Sequence, residues 1–132
     1  MPQRKAIGEQ HEEIMLALQR LRVAAAWDGN MLSEAHLRRV LVLDLEGLLD
    51  LLRAHFAFEE EGGYLSWLVE GRPETKPEVD RLEREHAVIL GKLEDLVRGA
   101  ETAALVSMKD GIIEVLQSLE KHEAAERAVI GS

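Results

Sequence analysis

The 132-residue sequence contains no cysteine. Disulfides, thiolate metal sites, iron–sulfur clusters and cysteine nucleophiles are therefore excluded. No apolar run approaches the roughly 18 residues that a membrane-spanning helix needs. The opening Met1-Pro2-Gln3-Arg4-Lys5-Ala6-Ile7-Gly8 lacks the apolar stretch of a secretory signal, and the expected location is cytoplasmic. Positive charge is in deficit: 16 Lys and Arg face 25 Asp and Glu, for a net charge of −9. That balance speaks against nucleic-acid phosphate or an anionic membrane surface as a main partner. Strand signals are also missing. What is present is a chain 46% hydrophobic and 31% charged, a composition that is neither disordered nor membrane-embedded. The length fits a single domain over residues 1–132 with a real interior.

The hydrophobic rhythm is helical almost throughout, and the fold class it predicts is all-α. A first helix runs from about Glu9 to Trp27 and stops at the turn cluster Asp28-Gly29-Asn30. A second begins at the N-cap Ser33 and runs to Gly62-Gly63, which can end it in a left-handed cap. Tyr64 to Glu70 adds one or two turns, and Gly71-Arg72-Pro73-Glu74 breaks the chain again. Thr75 and Glu78 form a capping box, with Pro77 in the first turn, for a third helix that ends at Gly99. A fourth spans about Thr102 to Val129. Gly47, Gly91 and Gly111 fall inside helices, where each costs about 1 kcal/mol relative to alanine unless close helix approach compensates. Four helices with short connections make an up-down-up-down four-helix bundle. In that topology the starts of the first and third helices and the ends of the second and fourth share one end.

The polar residues that interrupt the apolar stripes all fall at that end. His11 heads the stripe Ile14, Leu18, Leu21, and His86 heads Ile89, Leu93, Leu96. His55 closes the stripe Leu45, Leu48, Leu52, and His122 closes Ile112, Val115, Leu119. Glu59 follows His55 by four residues and Glu126 follows His122 by four, which keeps each pair on one helix face. The chain thus reads as two similar halves, each a His helix followed by a His-x-x-x-Glu helix. His36 lies at the opposite end and reads as a surface residue. Phe56, Phe58, Trp67 and Tyr64 read as packing, and Glu60 and Glu61 as a solvated face.

Four imidazoles and two carboxylates cannot sit unpaired in an apolar interior, where an ionised carboxylate without a partner costs several kcal/mol. Two divalent cations solve this. Nitrogen and oxygen donors of this kind suit iron, manganese or zinc. If each metal takes two histidines and shares both glutamates and a solvent bridge, each is five-coordinate and keeps a position for an exogenous ligand such as dioxygen. A ferritin-like scheme needs Glu-x-x-His twice, and it is met once, at Glu83 to His86; Leu119 stands at the equivalent place before His122.

With these residues in place, the sequence resembles the hemerythrin-like (HHE cation-binding) domain family over nearly its whole length, from His11 to Glu126. The order His, His-x-x-x-Glu, His, His-x-x-x-Glu carries the resemblance, together with the strings His55-Phe56-Ala57-Phe58-Glu59-Glu60 and Glu85-His86. It implies a four-helix bundle with a non-haem di-iron centre, two iron ions in all. His11 and His55 would hold one iron, His86 and His122 the other, and Glu59 and Glu126 would bridge. Oxygen-carrying members have a further histidine four residues after the one matching His86, where this chain has Leu90. Their last pair is His-x-x-x-x-Asp, against His122 to Glu126 here. The loss leaves both irons similarly open or invites another ligand, a nearby glutamate or water. Glu12, Glu85 and Glu123 are adjacent to ligands, and adjacency on a helix is expected to point them elsewhere.

Three readings follow. The first is a di-iron protein that binds or senses dioxygen or another small diatomic or peroxide ligand, working through a partner protein if it is a sensor. The second is a di-iron oxidase, peroxidase or nitric-oxide-handling enzyme. The third is a metal-free helical interaction module.

Overall fold

A computed structural model of the chain describes residues 2–26 and 33–131, with side chains from residue 8 onward. Trp27 and the expected turn at Asp28-Gly29-Asn30 lie outside the described residues. The long helices are α1 (Pro2–Ala26), α2 (Glu34–Glu60), α4 (Lys76–Gly99) and α5 (Leu105–Gly131), with a short α3 (Tyr64–Gly71) between α2 and α4. α1 packs on α2, α2 on α4, α4 on α5, and α5 back on α1, which closes the bundle. Among the described residues no helix is long and apolar enough to cross a membrane.

The helix boundaries follow local chemistry. Ser33 caps α2 as expected, its hydroxyl accepting from the His36 backbone N–H at 3.1 Å. α2 ends at a glycine pair that the backbone requires. A Cβ at Gly62 would stand 2.3 Å from the Phe58 carbonyl oxygen, and Gly63 has φ +80°. This turn lets α3 fold beneath the end of α2. The expected capping box at Thr75 does not form. Pro73–Thr75 makes a 3-10 turn that runs straight into α4, so Thr75 already has helical backbone angles. Its hydroxyl turns back and donates to the Arg72 carbonyl at 2.7 Å instead of reaching forward.

The interior is divided into two apolar clusters. The larger holds Ile14, Leu18, Leu52, Phe56, Ile89, Leu93 and Leu119 among others, and fills most of the bundle. The smaller packs Tyr64, Leu65 and Leu68 of α3 against Val79, Leu82 and Val129. Full burial of one such side chain contributes about 1.5–3 kcal/mol. On α4 the stripe runs Val79, Leu82, His86, Ile89, Leu93, so the histidine falls between the two clusters. On α5, His122, Glu123 and Glu126 likewise separate Leu119 from Val129. The bundle therefore contains a polar layer closed on both sides by hydrocarbon.

Of the helix-interior glycines, only Gly111 shows the expected close approach, with Leu96 Cδ2 2.6 Å from where a Cβ would stand. Gly47 and Gly91 have nothing within 4 Å. Gly47→Ala should therefore stabilise the fold by about 0.5–1 kcal/mol, through the entropy of the unfolded chain. Gly111→Ala should give no such gain, because Leu96 must move. Thermal unfolding of the two variants checks the difference in sign.

Candidate metal centre

Four helices each deliver donors to the polar layer. α1 presents His11, α2 His55 and Glu59, α4 His86, and α5 His122 and Glu126. All six side chains named from the sequence converge. His11 Nε2 lies 2.8 Å from Glu126 Oε1, and His55 Nε2 lies 3.4 Å from the same oxygen. The other oxygen, Glu126 Oε2, stands 3.4 Å from His122 Nε2. Glu59 Oε1 sits between His55 Nε2 at 3.4 Å and His86 Nε2 at 3.3 Å. Two groups of mutually close donor atoms result. One comes from His11, His55, Glu59 and Glu126, the other from His86, His122 and Glu126, each spanning no more than 4.8 Å. Glu126 belongs to both. His36 is exposed and takes no part, and Glu83 is not among the clustered donors.

The histidines are held from outside the layer. His55 Nδ1–H donates to Gln10 Oε1 at 2.8 Å, His86 Nδ1–H to Glu60 Oε2 at 3.1 Å, and His122 Nδ1–H to Glu85 Oε1 at 2.8 Å. With the proton on Nδ1, each Nε2 lone pair faces inward, and none of these three Nε2 atoms has a hydrogen-bond partner. Each acceptor is the sequence neighbour of a converging residue on another helix: Gln10 of His11, Glu60 of Glu59, Glu85 of His86. Phe56 lies on the rings from within the larger cluster. It stacks on His86 with ring centroids 3.8 Å apart and meets His122 edge-on at 5.7 Å.

Two expectations fail here. Glu60 is more than part of a solvated face, since it orients His86. Adjacency also does not point Glu85 and Glu123 away. Glu85 orients His122, and Glu123 is fully buried with Oε2 3.2 Å from His11 Nε2. The reason is the breadth of the buried face of α5. It packs on both α1 and α4, so neighbouring positions 122 and 123 can each face a different helix. The sequence signal for Glu123 was available in its spacing, three residues before Glu126, which puts the two on one face.

The electrostatics show what the layer lacks when only protons are available. Burial, then the facing Glu126 carboxylate, pushes Glu59 up to about 12. Burial also acts to raise Glu126, but the bond from His11 and the close approach of His122, His55 and the Glu59 carboxyl outweigh it and hold that carboxyl below the usual range. Glu123 is raised by burial and by Glu126. Burial opposes charge on His11 and His122, yet the bond of His11 to Glu126, and for His122 the facing Glu126 carboxylate with its bond to Glu85, raise both. His86 is lowered, by burial first, against its bond to Glu60. Several anionic oxygens thus compete for a few protons in a dry space. Both Glu59 oxygens, both Glu123 oxygens and Glu126 Oε2 are buried without a hydrogen-bond partner. This is a donor set that divalent cations fit, and it matches nitrogen-and-oxygen coordination.

The metal-free protein should keep a protonated carboxyl group at pH 7, because Glu59 holds its proton far above that pH. Infrared spectroscopy should show its carboxylic acid stretch in the wild type and not in Glu59→Gln. A wild-type spectrum with ionised carboxylates alone would contradict this description.

No curated protein and no solved structure gives a match to the chain. A family model does, the hemerythrin HHE cation-binding domain, over residues 4–131. The match covers α1 through α5 and takes in all six converging residues. With a helical bundle whose inner layer gathers histidine and glutamate donors, the chain belongs to the hemerythrin HHE cation-binding domain family.

Proposed function

We propose that the layer holds two iron ions, with His11 and His55 on one, His86 and His122 on the other, and Glu59 and Glu126 bridging. We further propose that this centre binds dioxygen or a related small ligand, another diatomic molecule or peroxide. The observation that carries the reading is the division of Glu126, whose Oε1 faces His11 and His55 while Oε2 faces His122. A carboxylate placed that way serves two cations at once. Manganese and zinc suit the same donors; iron is the metal that the family resemblance implies, and unlike zinc it can exchange electrons with a bound small molecule. The orphaned buried donors disfavour a metal-free interaction module, since such a module gains nothing from them.

The chain's own groups define what the centre can do. Gln10, Glu60 and Glu85 fix the tautomers and aim three Nε2 lone pairs inward, and a carboxylate on Nδ1–H increases imidazole basicity. Phe56 holds two of these rings in place and keeps water off them. The two apolar clusters exclude bulk solvent from either side, which strengthens every charge interaction within. Leu90 packs against the larger cluster and offers no donor where oxygen carriers have a histidine. That favours sensing, or redox handling of peroxide or nitric oxide, over reversible oxygen carriage.

Glu59→Ala combined with Glu126→Ala should abolish stoichiometric metal binding. A double variant that still holds two ions per chain by elemental analysis would overturn the ligand assignment. Iron at ~100-fold above its Kd should stabilise the wild type by about 2.7 kcal/mol per site, reversed by a chelator. Unfolding that ignores both iron and chelator would favour the interaction module. Binding should also strengthen as pH rises. Glu59, His11 and His122 all have raised pKa values, and their protons must leave before a metal enters. Iron(II) added to weakly buffered anaerobic protein should release protons; a titration without release would contradict the site.

A further inference from the structure

Glu123 is a buried ionisable group that the six-residue centre leaves unused. It is fully buried, and neither of its carboxylate oxygens has a hydrogen-bond partner. Its Oε2 nevertheless lies 3.2 Å from His11 Nε2, the same atom that stands 2.8 Å from Glu126 Oε1. One imidazole nitrogen carries at most one proton, so it can satisfy one of these two anionic oxygens and not both. Each oxygen stands within 3.2 Å of that one nitrogen, and a cation beside it would satisfy the carboxylate that the proton cannot.

The position of Glu123 is asymmetric. It approaches His11 on α1, whereas its helix neighbour His122 directs Nε2 towards Glu126 Oε2 on the other side of the layer. We infer that Glu123 is a seventh protein ligand of the dinuclear centre, bound to the ion held by His11 and His55. The inference rests on the dinuclear reading above and deepens it. Three buried carboxylates then stand against two divalent cations, so the enclosed charge is nearly balanced without a solvent anion on every side.

The consequence concerns where a small ligand binds. With Glu123 on the ion that His11 and His55 would hold, an exchangeable position would be left to the ion of His86 and His122. A groove of about 330 Å³ between α4 and α5 reaches the outer side of His122, where Glu85 holds its Nδ1.

Cobalt(II) titration of the full-length wild type, Glu123→Gln and Glu123→Ala tests this, read by visible absorption and by competition with a coloured chelator. Wild type should bind two ions. Both variants should still bind two, one of them at least about tenfold more weakly, the minimum expected when a group supporting a metal site is lost. The absorption of that ion should also intensify as its coordination number falls. Glu123→Gln preserves side-chain volume and removes only the charge, so it reads the site even where the alanine variant is poorly folded by circular dichroism. Variants whose affinities and cobalt spectra match the wild type would overturn the seventh ligand and leave the six-residue centre standing. A wild type that binds no cobalt(II) would overturn both.

Discussion

Ionisable groups buried between two bodies of hydrocarbon set the terms for this whole molecule. His55, Glu59, His86, His122, Glu123 and Glu126 are each at most 3% exposed. Leucine, isoleucine and phenylalanine close the layer on one side, and the α3 cluster closes it on the other. Water is not at hand to solvate these groups, and the protons they share satisfy only some of them. Stability and function therefore converge on one requirement, positive charge at the centre of the layer. The rest of the fold can be read as what holds that layer together, from the glycine turn that brings α3 beneath α2 to the Phe56 ring against the histidines.

The outer contacts show how such a layer is kept in order before any cation arrives. A histidine with a free ring flips and exchanges tautomers; here three of them have Nδ1 tied to Gln10, Glu60 and Glu85. The tying residues are partly exposed, so they carry their own polarity at little cost, while the inner nitrogens stay aimed. The cost of preorganisation is borne by folding and is returned as binding free energy.

Much of this was legible in the sequence because it depends on period. A 3.6-residue repeat placed His11, His55, Glu59, His86, His122 and Glu126 on inward faces, and short connections brought those faces to one end. What the sequence concealed depends on how helices rotate against each other. Glu123, Glu60 and Glu85 each sit one residue from a converging side chain, and a helical wheel alone assigns such positions to a flank. Whether a flank faces solvent or a neighbouring helix is decided by packing, and on α5 both flanks are covered. The Thr75 cap fails to form for a similar local reason. Pro73 starts a 3-10 turn, so the threonine lacks the extended backbone that an N-cap uses. The glycines at 47 and 91 do not mark close helix contacts, and nothing in the structure explains their presence.

The proposed pair of cations, bridged by glutamate within one layer, can be observed. Anomalous diffraction from crystals of iron-loaded protein locates them directly. Two peaks are expected inside the bundle, one beside His11 and His55, the other beside His86 and His122, with the Glu126 carboxylate reaching both. Iron found only on the protein surface, or a single peak that leaves either histidine pair unligated, would contradict the proposed pair.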